Sequence, residues 1–413
     1  MQSPPRGRTP AEEERNVLYE PDAFDQLTDR TWHEDWVGER IAAIVADTDA
    51  AYGQADLWPA EEWDSWQTAT PLKSLYVGAA GVVWALGALG RRGHAQSGLD
   101  LADAASGVLD AWREEPDLMR GIELPSPARA GLLSAEAGML AVAWQLSPRD
   151  DLGDVLHERV TENVRNDAND LMWGSPGTML AANAMHGWTG DQRWKAAWEE
   201  SADELLRRRD EDGLWTIHLY GGEARGIGPA HGLVGNVLAL RQGLDSERAD
   251  DLVRESAATL TRLAVVQDGL ATWPVHAGRP LESSDGEIRL QWCAGAPGVV
   301  ITAIDYLDDD LLLAASELTW QAGPHGDEKG PSICHGTAGN GYAFLKTFER
   351  TGDEKWLERA RRFAVHALEQ TERLRAARGR GRYSLWTGDV GVALFAADCL
   401  DTRARYPILD SWE

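Results

Sequence analysis

GSPGTMLAANAMHGWTGDQRWKAAWEESADELLRR (174–208) and GTAGNGYAFLKTFERTGDEKWLERARRFAVHALEQ (336–370) are two versions of one pattern. Each opens on G-x-x-G, runs through an apolar stretch and reaches T-G-D-x-x-W, whose glycine falls thirteen residues after the second glycine in both. Gly190 and Gly352 suit the left-handed residue that ends a helix, and Asp191 and Asp353 suit the N-cap of the next. Trp194 and Trp356 then open amphipathic runs. The pattern predicts a pair of antiparallel helices, the first apolar around its circumference and the second with one polar face.

G-x-x-G followed by an apolar run recurs at Gly78/Gly81, Gly232/Gly235, Gly295/Gly298 and Gly388/Gly391, with a degenerate copy at Ala135/Gly138. Successive copies start 39 to 63 residues apart, enough for two helices and their connections. Seven such hairpins predict an all-α protein, an α/α toroid (barrel) with G-x-x-G at the inner-helix N-termini and all seven corners on one rim. Residues 1–69 read as an N-terminal lead-in and first outer helix region, and 70–413 as the seven-repeat toroid. An open solenoid, or an ordinary bundle whose helices are merely capped by glycine, would use the same pattern.

The chain has 413 residues, 43% apolar and 26% charged, the balance of a soluble globular protein. Forty Lys and Arg against 67 Asp and Glu leave a net charge of −27, which argues against a nucleic-acid or anionic-membrane partner. Three cysteines are too few for a disulfide framework in a chain of this length, so a reducing, cytoplasmic setting is expected. The first thirty residues lack the apolar core of a secretory signal, and Tyr76–Gly90, fifteen residues with four glycines, falls short of a membrane span.

If the corners share a rim, residues beside them converge. Cys293 precedes the Gly295 corner, Cys334 and His335 the Gly336 corner, and His231 the Gly232 corner. Two thiolates and an imidazole are ligands zinc prefers, and such a set leaves one tetrahedral position open. With 41 residues between the cysteines, spacing alone is weak evidence for a metal; the repeat supplies the proximity and leaves a metal site and a pair of buried thiols beside a core histidine equally open. Cys399, inside an apolar run, reads as a packed small hydrophobe. His218, His276 and His325 are cavity candidates without an assigned role. Glu136, Asp170 and Asp389 are the acidic residues at corners; a carbohydrate-active toroid would need two of them as an acid–base pair, and would leave the cysteines unused.

The strings WCAGAPG (292–298), CHGTAG (334–339) and GPAHGLVG (228–235) resemble the signature of the lanthionine synthetase C-like family. The resemblance implies a seven-hairpin toroid holding one Zn2+ on Cys293, Cys334 and His335. It places the family's acid/base histidine on His231 and its aspartate, four residues before a corner glycine, on Asp170. Structural readings stand beside these: a rim histidine satisfied by backbone carbonyls for His231, and a helix N-cap for Asp170. Ala294 stands where relatives often carry Tyr or His. The implied reaction is zinc-dependent addition of a thiol, from a peptide cysteine or a glutathione-like molecule, to dehydroalanine or dehydrobutyrine, forming a thioether of the lanthionine type. Its partners are a dehydrated peptide or protein and a thiol. With no dehydratase-like segment ahead of the toroid, the chain is expected to be free-standing. The alternative is a non-catalytic zinc- and thiol-binding interaction protein.

Overall fold

The second glycine of every G-x-x-G copy is a steric necessity. In the computed structural model, which describes residues 18–413, a Cβ added at Gly298 would collide with the Trp292 carbonyl, at Gly339 with that of Ile333 and at Gly391 with that of Leu385. Each is the carbonyl six residues earlier, and the other four copies repeat the relation, including Gly138 against Leu132. The chain doubles back so tightly before each inner helix that no side chain fits. The first-position glycines are as tightly enclosed by backbone, and only the degenerate copy departs: Ala135 takes the position with an extended backbone, φ −149°. Residues 1–17 of the expected lead-in lie outside the described residues.

Fourteen α-helices follow among the described residues. The outer set is α1 (Glu34–Ala51), α3 (Leu101–Glu114), α5 (Asp150–Asn163), α7 (Gln192–Arg207), α9 (Ser246–Leu263), α11 (Asp309–Ala322) and α13 (Glu354–Arg378). The inner set, each starting at a corner, is α2 (Ala79–Arg91), α4 (Glu136–Leu146), α6 (Ser175–Thr189), α8 (Leu233–Arg241), α10 (Ala296–Ala303), α12 (Thr337–Thr351) and α14 (Asp389–Asp401). Inner helices are buried all round, as in α2, where every residue from Ala79 to Leu89 is buried. Outer helices bury a stripe; α3 buries Ala104, Ala105, Val108, Leu109 and Trp112 and turns its charges outward. The hairpin turns follow the expected chemistry. Gly190 and Gly352 are left-handed, with φ 70° and 67°, and the Asp191 and Asp353 carboxylates accept the Arg193 and Lys355 amides at 2.9 and 3.1 Å.

Each inner helix packs against the next, and α14 packs against α2, so the inner ring closes; α1 packs on α14 as its outer partner. Closure distinguishes the fold from an open solenoid. The all-α expectation missed two small antiparallel hairpins, β1 (Ile217–Leu219) with β2 (Gly222–Ala224) and β3 (Val265–Gln267) with β4 (Leu270–Thr272), in the connections before α8 and α10. No described helix is long and apolar enough to cross a membrane, and Tyr76–Gly90 contributes the buried α2.

The corners are tied to one another by backbone hydrogen bonds. The Tyr76 amide donates to Leu133, Trp386 to Tyr76, Cys334 to Trp386, and Trp292 to Cys334, at 2.9 to 3.2 Å, and Leu171 donates to Ala230 at 3.2 Å. The ring is filled from its other end by the segment Ala404–Trp412. There Tyr406 stacks on Trp292 with centroids 5.3 Å apart and donates its hydroxyl to the Ile333 carbonyl at 2.7 Å. The corner carrying Cys293 is thus held between a neighbouring corner and an aromatic plug.

Candidate functional site

Corner register explains why distant residues meet. Cys293 and Cys334 each lie two residues before a first glycine, and His231 and His335 each lie one before. Because corners of adjacent repeats are hydrogen-bonded side by side, equal offsets become equal depths on the rim. The Sγ atoms of Cys293 and Cys334 and a ring nitrogen of His335 all lie within 4.8 Å of one another, and Cys334 Sγ is 3.4 Å from His335 Nε2. Tetrahedral zinc, with bonds of about 2.3 Å to sulfur and 2.0–2.1 Å to nitrogen, separates such donors by roughly 3.5–3.8 Å. The donor set therefore fits a metal ion of that kind with side-chain adjustment alone.

Outside the donor set, each sulfur has one hydrogen-bonding side chain. Gln291 Nε2 donates to Cys293 Sγ and Tyr76 Oη donates to Cys334 Sγ, both at 2.9 Å. A hydrogen bond from the Cys334 thiol, with His335 and Gln291 alongside, holds Cys293 well below the ordinary thiol range despite its burial. Burial and the Cys293 charge push Cys334 well above it. The pair thus carries one thiolate shared between the two sulfurs, and a second needs a cation to hold it.

His231 Nδ1 sits 2.6 Å from Asp170 Oδ2. The imidazole is deep in the ring yet 37% exposed, because it opens onto the central cavity. Burial pulls its pKa down, but the charge and hydrogen bond of Asp170, helped by Cys293, outweigh burial and raise it above 6.5. Asp170 is fully buried, and its other oxygen accepts the Trp173 and Gly174 amides at 2.7 and 3.0 Å. The N-cap of α6 is Gly174, so Asp170 braces the turn ahead of the helix and does not cap it. The same carboxylate serves the backbone with one oxygen and the imidazole with the other, and the partner of His231 is this carboxylate in place of a backbone carbonyl.

The cavity has a volume of about 870 Å³ and reaches from His231 past Tyr76 to Trp63. Trp63, on a loop that precedes the first repeat, sets its ring edge-on to His335 with centroids 5.4 Å apart. That loop is anchored by Asp64, which takes Arg382 through two nitrogens at 2.5 and 2.8 Å and the Thr387 hydroxyl at 2.9 Å.

Other candidates resolve differently. His325 is buried, stacked on Phe24 and bonded to the Leu290 carbonyl at 2.9 Å, and burial pushes its pKa down to about 4; it is a packing residue. His276 is half-buried and lowered by burial, with His231 adding to the effect. His218 lies on β1, 3.5 Å from Glu223. Glu136 is paired with Arg159 at 2.8 Å and Asp389 accepts the Arg382 amide at 3.1 Å, so each corner carboxylate is engaged within its own surroundings. Cys399 is fully buried in α14. Tyr76 and Trp63 were missed in the sequence. Tyr76 had a signal, the same two-residue offset from its glycine as the cysteines; Trp63, outside the repeats, had none.

A ring of seven helical hairpins whose rim gathers two cysteines and a histidine defines a toroidal protein with a metal-competent centre. The chain belongs to the lanthionine synthetase C-like family, whose model, "Lanthionine synthetase C-like protein", matches residues 61–410. Among curated relatives, "Glutathione S-transferase LANCL1" of Danio rerio is 32% identical over 197 residues, 45% of each chain. "LanC-like protein GCL1" of Arabidopsis thaliana is 28% identical over 148 residues, 34% of this chain and 32% of the relative. The matched stretches thus span less than half of either relative. Among solved structures, nisin cyclase superposes over 90% of this chain and 95% of its own with a TM-score of 0.59 at 16% identity, a likeness of fold.

Proposed function

We propose that this protein adds a thiol to the β-carbon of dehydroalanine or dehydrobutyrine in a peptide or protein, forming a thioether, with Zn2+ as cofactor. The observation that carries the reading is the placement of the Cys293–Cys334–His335 donor set on the same rim as the His231–Asp170 pair. Bound by those three residues, zinc would supply an open position at which a thiol loses its proton and becomes a nucleophile near neutral pH.

The chain's own groups account for the remaining requirements. Gln291 and Tyr76 orient the two sulfurs by their hydrogen bonds. Addition to the β-carbon leaves an enolate that needs a proton at the α-carbon. Asp170 occupies His231 Nδ1, so exchange with a substrate falls to Nε2, and the Asp170 charge, by raising the imidazole's pKa, favours its proton-carrying form. His231 is thus the proton donor and Asp170 the residue that orients it. The nisin cyclase likeness and the LANCL1 relative support a thiol as one partner, taken here to be a peptide cysteine or a small glutathione-like molecule.

The test is metal analysis alongside product detection by mass spectrometry on a dehydroalanine peptide supplied with a thiol. Wild type should hold about one zinc per chain and yield the thioether, and Cys334→Ala should lose both. Zinc-free wild type that still forms product would overturn the reading, and a zinc-loaded protein that binds thiol without product would make it a binding module.

A further inference from the structure

Residues 404–412 follow the last inner helix and belong to no hairpin, yet they are fastened inside the ring. The Ala404 amide donates to Glu349 at 2.6 Å, Lys346 pairs with Asp410 at 2.8 Å, and Gln242 donates to the Leu409 carbonyl at 3.0 Å. From this tail Tyr406 projects, fully buried. Its ring lies on Trp292 at an interplanar angle of 15° and edge-on to Tyr342 of α12 with centroids 5.0 Å apart, while its hydroxyl reaches the Ile333 carbonyl. Trp292 and Ile333 are the residues immediately before Cys293 and Cys334. One side chain thus touches both segments that carry the sulfurs, and it does so from outside the cavity lining. A second observation separates this contact from ordinary filling. Of the seven carbonyls that stand six residues before a corner's second glycine, that of Ile333 is the one, among the described residues, that accepts a side-chain hydrogen bond. The corner singled out supplies two of the three donors, Cys334 and His335.

We propose that the C-terminal segment 404–412 is a positioning element for the donor set, acting through Tyr406, which fixes the separation of Cys293 and Cys334 and so favours metal binding. The inference rests on the metal part of the proposed function and names a residue that no repeat supplies. The Trp292 amide donates to the Cys334 carbonyl, so the two sulfur-bearing segments are pinned twice, by that bond and by the Tyr406 ring and hydroxyl. A pair left looser must be drawn together when an ion binds, and affinity falls by what that ordering costs. The coupling is reciprocal: the factor by which a docked tail favours the metal is the factor by which the metal favours a docked tail.

The test reads metal and not turnover. Tyr406→Phe keeps the stack on Trp292 and removes only the hydroxyl. Zinc affinity of the full chain, from competition with a chromophoric chelator, should fall by about tenfold, the low end of what outer partners of metal ligands are worth, and the cobalt-substituted protein should show altered thiolate-to-metal absorption. Trp412→Phe, in the same segment but packed on Trp188, should bind zinc as wild type does, which separates positioning from loss of tail packing. In wild type, hydrogen exchange of the amides in 404–412 should slow on zinc loading by a similar factor, beyond any change in α3. If Tyr406→Phe does not fold, this exchange measurement decides. Wild-type affinity and cobalt absorption in Tyr406→Phe, equal weakening by Trp412→Phe, or tail exchange indifferent to zinc would each overturn the inference. A wild type that takes up neither ion overturns the donor set and this inference together, whereas a protein that holds zinc and forms no thioether overturns the thiol-addition reading alone.

Discussion

Asp170 holds two backbone amides with one oxygen and an imidazole with the other, and two substitutions separate these duties. Asp170→Ala leaves the buried Trp173 and Gly174 amides without a partner. At about 1–3 kcal/mol for each of the two orphaned groups, the loss of stability should be roughly 2–6 kcal/mol. Asp170→Asn keeps an oxygen for those amides and removes the charge facing His231, so it should stay within about 1 kcal/mol of wild type. The imidazole should respond alike in both variants. Only Asp170 and Cys293 raise its pKa against burial, so removing the carboxylate should lower it. The sign extends to stability: a histidine whose folded pKa is raised stabilises fully below its unfolded pKa and loses that contribution as pH rises through the folded value. Both variants should flatten that slope. The assays are urea denaturation and NMR titration of the His231 ring, followed by kcat/KM, which should fall by about 10²–10⁴-fold, the usual worth of a positioned acid. An Asn variant as unstable as the Ala variant, or a His231 pKa that does not move, would refute the division of labour.

Two further outcomes follow from the fold. Gly298→Ala and Gly339→Ala each drive a methyl group into a backbone carbonyl and should cost more than about 4 kcal/mol or prevent folding, whereas Ala135→Gly should cost no more than about 1 kcal/mol; thermal midpoints decide. Asp389 has its pKa raised to about 7 by burial. For a carboxyl with a folded pKa above its unfolded value, the contribution is full below about pH 4 and is lost as pH rises toward 7, so Asp389→Asn should gain on wild type across that window by up to a few kcal/mol; parallel pH profiles of the two would contradict it.

Much of this architecture was legible because its constraints are local. A helix turn that excludes a Cβ demands glycine, and a hairpin turn that needs a left-handed residue and a cap spells T-G-D, so both leave residues in fixed places. The cysteines could be placed on one rim for the same reason. What spacing left open was whether they and His335 form a donor set, and that depended on corner-to-corner hydrogen bonds between backbone groups, which any residue can make. Tyr76 shared the cysteines' offset from a corner glycine, but its role depends on which atom faces which, a hydroxyl against Cys334, and the pattern does not carry that. The β-hairpins before α8 and α10 are three-residue strands in long connections, too short for alternation to reveal. Asp170 resisted a single reading because it has two roles, and a choice between cap and catalytic partner presupposed one.

The seventh repeat supplies no ligand, yet the Cys334 amide is held by the Trp386 carbonyl, and Trp386 in turn donates to Tyr76, whose hydroxyl reaches Cys334. The brace around that sulfur therefore joins the earliest corner of the chain to the latest. On a ribosome both cysteines and His335 are made before Trp386, so the ligands exist for a time without their support. The rigid form of the site arrives with the last turn of the ring, which makes the order of synthesis part of how this centre is assembled.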